Sequence, residues 1–406
     1  MAESYDAIVV GARCAGSPTA MLLARKGYRV LLVDRATFPS DTLSTHMVHP
    51  PGIAALERWG LRGRLEATGC PPITDYSFDF GPFTIAGHPR PSGTNRVAHA
   101  PRRVVLDKLL VDAAAEAGVE VREGFTVERI VFEDGRVGGI RGHSEGMASR
   151  LERAPIVIGA DGHHSLVAKS VGVESYSQQP SLEALYYSYW VDLPVDGFEV
   201  FVRPRRSWAA FPTHEGQTVL VMGWPYDEFR ANRTDVEGNY LRTLELAPEF
   251  AKRVAKATRV SRIRGTADVP NYFRKPFGPG WALVGDAGYH KDPCTAQGIS
   301  DAFRDAELLS GALHDTWSGN LSFEQAMGSY QEVRDQTVMP LYEMTCQLAA
   351  MEPPPPEMQQ LLGAVSRSQD SMDDFVSMIA GTVSPADFFS PPNVQRMIEA
   401  ASVAAV

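Results

Sequence analysis

The chain has 406 residues, 44% of them hydrophobic and 22% charged, with a formal net charge of −10. This length fits two or three ordinary domains or one large interleaved one, and the acidity argues against non-specific binding to nucleic acid or to an anionic membrane surface. The four scattered cysteines (Cys14, Cys70, Cys294, Cys346) form no CxxC pair, no basic-then-apolar leader is visible and no apolar run reaches the ~18 residues of a membrane helix; a cytoplasmic protein with no zinc cage, disulfide framework or membrane span is expected.

In chain order, Tyr5 to Val10 reads as a short buried strand, Gly11 to Gly16 as a turn, and Ser17 to Lys26 as a helix stopped by Gly27. Tyr28 to Val33 is a second strand ending on Asp34, which completes a βαβ opening. Helices are expected over 51–69 and 103–117, with Pro-, Gly- and aromatic-rich strands and loops over 71–101 between them. Val119 to Gly142 reads as a hairpin about Asp134-Gly135, and Ala154 to Ala160 as another buried strand. Aromatic and β-branched runs at Leu185 to Val191, Phe198 to Val202, Trp208 to Phe211 and Thr218 to Trp224 predict an antiparallel sheet, followed by one helix over about 234–257. The strand–helix pattern resumes at 281–314, and 322–350 and 357–402 are expected to be mostly helical, split by Pro353 to Pro356.

Three motifs stand at strand ends. Gly11-Ala-Arg-Cys-Ala15-Gly16 keeps the outer glycines of a dinucleotide fingerprint, with Asp34 closing the second strand; Arg13 replaces the middle glycine, and its side chain, swung aside, could pair with phosphate. Gly159-Ala-Asp161-Gly162 ends a strand in a turn, and Ser165 can cap the next helix. Gly285-Asp286, followed by Pro293 and Gln297-Gly298, puts a carboxylate at a strand end and a glycine-opened helix N-terminus after it. That arrangement suits a ligand with hydroxyls and an anionic or carbonyl-rich group. Two such sites some 270 positions apart suggest a long ligand bound along its length, and FAD fits.

As a set, Gly11, Ala15-Gly16, Asp34-Arg35, Arg103 within Arg-Val-Val-Leu-Asp107, Asp161-Gly162 and Gly285-Asp286…Pro293…Gln297-Gly298 resemble the FAD-dependent aromatic hydroxylases. These share the para-hydroxybenzoate hydroxylase-like fold with geranylgeranyl reductases and flavin halogenases. The resemblance covers roughly 1–320. It implies an α/β fold: a Rossmann-like FAD-binding domain (1–70, 101–180, 271–320), an inserted antiparallel β-sheet substrate domain (71–100, 181–270) and a helical C-terminal region (321–406). It implies non-covalent FAD, with Gly11 and Gly16 at the pyrophosphate, Asp34 at the adenosine ribose, Arg103 at the phosphates or ribityl chain and Val127 beside the adenine. Asp161 would support FAD and the nicotinamide route, Asp286 would bind the ribityl hydroxyl or pyrophosphate region, and Pro293, Gln297 and Gly298 would line the isoalloxazine. It also implies that NAD(P)H, as a transient co-substrate, reduces the flavin and that one atom of O₂ passes to an electron-rich aromatic or polycyclic small molecule.

Two departures bear on the reaction. The reductase branch carries a Cys where Phe38-Pro39-Ser-Asp41-Thr-Leu-Ser44 has Ser44, and the halogenase Trp-x-Trp-x-Ile-Pro signature is missing. A flavin-dependent C=C reductase or dehydrogenase of a lipid-like molecule is the alternative, and a non-catalytic flavin-binding protein the third. Neither a Ser–His–Asp pattern nor a second dinucleotide fingerprint is present, so NAD(P)H is expected to bind without a domain of its own. His46 and His290 fall beside flavin-lining motifs and are the candidate catalytic residues, able to orient substrate or move a proton. His46 and His49 have an i,i+3 spacing but no third ligand, so no metal is expected; His163-His164 belong to the turn after the Asp-Gly motif.

Overall fold

The computed structural model describes residues 5–403; residues 1–4 and 404–406, the ends of the expected FAD-binding and helical regions, lie outside them. Its centre is a six-stranded sheet in the order Phe277–Gly278, Trp281–Leu283, Ile156–Gly159, Ala7–Val10, Val30–Val33, Glu120–Arg122. Neighbours are parallel except for the antiparallel edge strand Phe277–Gly278. The strands are short and apolar because both faces are covered. Ala7, Val9, Val30, Leu32, Ile156 and Ile158 pack with the helices Gly16–Arg25, Arg103–Glu116 and Gly298–Trp317. Ile8, Val10, Leu31, Val33 and Val157 face a three-stranded sheet whose hairpin joins Phe125–Glu133 to Arg136–Ser144. Its turn residues Asp134 and Gly135 both have positive φ (49° and 76°), as the Asp-Gly pair predicts.

The second large sheet runs Thr258–Arg259, Glu183–Val191, Thr218–Pro225, Arg206–Pro212, Phe198–Arg203, Tyr76–Asp79, Thr84–Gly87. It is antiparallel, as expected, save that Phe198–Arg203 lies parallel to Tyr76–Asp79. Alternation divides its faces. Tyr186, Trp190, Trp208, Leu220 and Trp224 pack on Tyr240, Leu244, Phe250 and Val254. Those four come from two helices, Val236–Leu244 and Pro248–Val254, where one was expected; Pro248 lacks the N–H that a continuous helix would need and instead opens the second. Likewise 51–69 divides into Pro50–Arg58 and Arg62–Glu66, because Gly60 takes φ 74°. Tyr187, Tyr189, Phe211 and Val219 on the other face join a core with Met47, Leu361, Val365, Phe375 and Phe388. The helices Pro356–Val365, Gln369–Ile379 and Pro385–Phe388 therefore close over the face that carries the tyrosines.

A third, small sheet of Ser175–Gln179, Asn271–Arg274 and Tyr289–His290 packs through Phe273 and Tyr289 against Val338 and Tyr342 of the long helix Phe323–Ala349. Ser322 and Gln325 form a capping box at the start of that helix. The architecture is thus the expected mixed α/β one, with a Rossmann-like nucleotide region, inserted sheets and C-terminal helices.

Candidate active site

The three motifs meet in space because their strands are neighbours. The loops after Ala7–Val10, Ile156–Gly159 and Trp281–Leu283 all leave the carboxyl end of the central sheet, where the chain order reverses between the first two strands. Open parallel sheets bind ligands at such a switch point. Close packing there demands glycine. Gly11 has φ 103°, and a Cβ on it would stand 2.4 Å from the Ala160 carbonyl oxygen. A Cβ on Gly16 would lie 1.7 Å from the Gly11 carbonyl oxygen. Gly285, at φ 60°, sits where a Cβ would come within 2.7 Å of the Ala15 methyl.

Asp34 ties this turn together. Its carboxylate accepts from the Ala12 N–H at 2.7 Å and the Ala36 N–H at 2.8 Å, while Arg35 is exposed. Arg13, expected to swing its side chain aside, is engaged within the protein. Its guanidinium meets Asp107 at 2.5 Å, donates to the Ser40 hydroxyl at 2.8 Å and lies over the Phe38 ring. Arg103 is buried and forks onto the same Asp107 at 3.0 and 3.1 Å. Asp107 is fully buried between two arginines, a function the sequence motif did not reveal although the i,i+4 spacing to Arg103 is its signature.

Asp161 accepts from the Ser165 hydroxyl at 2.5 Å and from the Leu166 N–H at 2.6 Å, and Ser165 in turn accepts the Ala168 N–H, so the expected cap is present. Burial pushes the Asp161 carboxyl up, against the pull of these donors. Val127, half-buried on its hairpin strand, packs onto the core beside the second strand of the nucleotide sheet. The Asp286 side chain is exposed, and its backbone carbonyl accepts the Tyr272 hydroxyl at 2.6 Å. Pro293 is half-buried, Gln297 is held by its amide on the Ile379 carbonyl, and Gly298 opens the 20-residue helix with its Cα exposed. A Cβ on Gly298 would meet nothing within 4 Å, so the helix start is open to a ligand. The glycine cradle at residues 11–16, the free Asp286 carboxylate and this helix N-terminus are the donor and acceptor set that a dinucleotide with a hydroxylated chain requires.

The candidate histidines lie in different surroundings. His46 is fully buried at φ 61°; its N–H donates to the Ser44 hydroxyl at 3.0 Å. Its Nε2 lies 2.6 Å from the Tyr189 hydroxyl, and Nδ1 has no partner among the described residues. Burial, reinforced by the charges of Arg103 and Arg102, holds its pKa down to about 3. His290 donates from Nδ1 to the Pro270 carbonyl and stands 5.4 Å from the His163 ring, on the small sheet. His49 is structural: its ring nitrogens lie 2.9 Å from the Tyr76 hydroxyl and 3.2 Å from the Thr295 carbonyl oxygen. Sequence reasoning missed Tyr189 as the partner of His46, and also Asp41, which pairs at 2.7 Å with Arg264 near Tyr187.

A family profile described as "FAD binding domain" matches residues 4–345. A digeranylgeranylglycerophospholipid reductase from Methanosarcina acetivorans is 26% identical over 82% of this chain and 81% of its own. Among solved structures, the myxobacterial chondrochloren halogenase, an FAD-dependent halogenase, superposes with TM-score 0.79 at 21% identity, covering 99% of this chain and 97% of the other. A Pseudomonas aeruginosa protein described as a probable FAD-dependent monooxygenase gives TM-score 0.72 at 20% identity over 92% and 99%. No helix among the described residues is long and apolar enough to cross a membrane.

Proposed function

The chain belongs to the FAD-binding domain family of FAD-dependent oxidoreductases, and from that premise we propose that it is a monooxygenase that consumes NAD(P)H and O₂ to hydroxylate an aromatic or polycyclic small molecule. The observation that carries this reading is Ser44. Where the reductase branch places a thiol, Ser44 offers a hydroxyl, which accepts the His46 N–H. A hydroxyl is a far poorer proton donor than a thiol, so proton delivery to a reduced C=C bond has no source at that position. The missing Trp-x-Trp-x-Ile-Pro signature weighs against halogenation.

When bound, FAD supplies the redox chemistry. This chain's residues bind, orient and exclude water. Gly11, Ala15 and Gly16 let the backbone approach the pyrophosphate, and Asp34 fixes that turn with its carboxylate at the ribose end. Arg103 and Arg13, both held by Asp107, set a positive field behind the turn. Asp161 braces the adjoining loop, Val127 flanks the adenine, and Asp286 accepts from a hydroxyl. Pro293, Gln297 and Gly298 present the helix start to the ring. His46, neutral in its buried site, can take or give a hydrogen bond to a substrate hydroxyl through Tyr189, and its unpartnered Nδ1 is available for a second. His290 stacks on Tyr272, whose hydroxyl holds the Asp286 carbonyl, and is the candidate for moving a proton at that end of the site. The division of labour follows: residues 1–70, 101–180 and 271–320 hold FAD, 71–100 and 181–270 form the substrate roof, and the C-terminal helices from 321 onward close it.

The second reading, a flavin-dependent reductase of a lipid-like C=C bond, draws on the 26% identity to the archaeal reductase. Turnover under ¹⁸O₂ with NAD(P)H separates the two. One labelled oxygen in the product supports hydroxylation; an unlabelled product two hydrogens heavier, formed equally well without air, would give the case to the reductase.

A further inference from the structure

Glu183 opens the strand whose alternate residues Tyr187 and Tyr189 face the covered side of the large sheet, and by that alternation it lies on their side. It is fully buried, and neither carboxyl oxygen has a hydrogen-bond partner among the described residues. Facing it is Asp292, 1% exposed, immediately before Pro293. Asp292 Oδ1 accepts the Cys294 N–H at 3.0 Å, whereas Oδ2 is without a partner among the described residues. Oxygens of both carboxyls and the Cys294 sulfur lie within 4.8 Å of one another. The contact is built into the backbone: a Cβ on Gly223, on the neighbouring strand, would stand 2.0 Å from Glu183 Oε2.

Glu183 has no donor and Asp292 has only the Cys294 N–H, on the oxygen Oδ1, so the two carboxyls cannot both remain ionised in a dry site, where each carboxylate is acceptor-only and the charges repel. The groups packed around them do not resolve this. Lys291 is engaged with Asp301, and His290 donates to the Pro270 carbonyl. Asn271 contributes only its Oδ1, which accepts the Asp292 N–H at 2.7 Å. On the long helix, Cys346 and Glu343 add only acidic groups. Cys294 Sγ lies 3.7 Å from the Thr345 carbonyl oxygen and burial pushes its thiol well up, which makes a metal cage of Glu183, Asp292 and Cys294 the poorer solution.

We propose that Glu183 and Asp292 share a proton, and that the resulting carboxyl–carboxyl hydrogen bond latches the 292–298 segment to the substrate sheet, with both acting as positioning residues for the flavin-facing Pro293, Gln297 and Gly298. The inference rests on the assignment of that segment to the flavin. Burial, then the facing Asp292, pushes the Glu183 carboxyl well above the usual carboxylate range, and burial raises Asp292 as well. A raised carboxyl stabilises fully only below its unfolded value, and that contribution is lost as pH rises through the folded one. The latch therefore weakens on the alkaline side.

The test measures FAD affinity and thermal unfolding at about pH 6 and about pH 9 for the full chain, E183Q and D292N. An amide can donate to the remaining carboxylate without a shared proton. The wild type should lose FAD affinity by roughly tenfold or more across that range, while E183Q, or D292N if E183Q does not fold, should hold its low-pH affinity throughout. Parallel pH profiles for wild type and variant overturn the proposal, as does a stoichiometric divalent metal found in the wild type and lost from E183Q. If the wild type binds no FAD at any pH, the flavin reading fails by itself. The latch is then judged on unfolding alone, where a variant-minus-wild-type difference that grows with pH supports it and a flat one overturns it. If neither variant folds, the infrared carbonyl band of a protonated carboxyl in the wild type decides: present, it supports the latch; absent, it overturns it.

Discussion

Arg13 and Asp107 form an ion pair with 2.5 Å between Nη1 and Oδ2, one partner a quarter exposed and the other fully buried. This contact explains how the turn tolerates an arginine at the middle fingerprint position. The side chain swings onto a carboxylate that Arg103 already holds, and the pair neutralises it. Arg13→Gly should keep the fold and change FAD affinity by less than tenfold, under ~1.4 kcal/mol. Asp107→Asn strands two guanidinium groups and should cost ~3–5 kcal/mol of stability by denaturant unfolding. A folded Arg13→Gly protein that loses FAD by much more than tenfold would place Arg13 on the phosphates after all.

Two glycines separate fold from cofactor. Gly16→Ala puts a methyl 1.7 Å from the Gly11 carbonyl oxygen, so the turn must open and the purified protein should be colourless or insoluble. Gly298→Ala meets nothing within 4 Å and replaces glycine in a helix, which should leave stability unchanged or raise it by up to ~1 kcal/mol. If the flavin packs on this helix start, Gly298→Ala should still weaken FAD binding. Unchanged binding would move the ring elsewhere.

Asp286 offers an exposed carboxylate at the strand end with its backbone pinned by Tyr272. Asp286→Ala should reduce FAD affinity by ~1–3 kcal/mol, the cost of one unsatisfied buried hydroxyl in the complex. Denaturation should release the yellow chromophore, since no His or Cys stands in a recognised flavinylation motif. A colour that stays with the precipitated chain would contradict non-covalent binding.

The nucleotide region was legible because its signals are local. Ile8 to Val10 and Leu31 to Val33 are apolar runs buried on both faces, Gly27 and Asp34 punctuate them, and Asp134-Gly135 dictates its own turn. What could not be read was pairing across the chain. Nothing near Phe198 announces a parallel partner at Tyr76, and nothing near Phe375 says that it packs its ring against Phe78. The single helix expected over 234–257 failed at Pro248, where the breaker was visible but the apolar period continued past it. At the site, the glycines were legible from steric need. The partners of Arg13 and His46 were not, because Asp107 and Tyr189 are brought to them by tertiary packing.

His46 gives a prediction with a pH sign. Its folded pKa is depressed to about 3 from the ordinary 6.5, with burial the leading cause and the Arg103 and Arg102 charges adding to it. A depressed histidine contributes stability that is complete above its unfolded value and is lost as pH falls toward the folded one. The wild type should therefore lose stability by up to ~1.4 kcal/mol per pH unit through this group alone as pH falls from about 6 to about 4. His49, held down to about 4, adds to the same limb. Asparagine is the suitable replacement, because it accepts the positive φ of 61° and takes up no proton as pH falls. His46→Asn should flatten the acid limb by about one proton while His49 keeps the remainder. In turnover the same variant should leave NAD(P)H consumption running but lower product formed per NAD(P)H, since Tyr189 loses its 2.6 Å partner. Tyr189→Phe should reproduce that uncoupling without changing the acid limb. If His46→Asn flattens the limb yet leaves product yield untouched, His46 is a packing residue and takes no part in handling substrate.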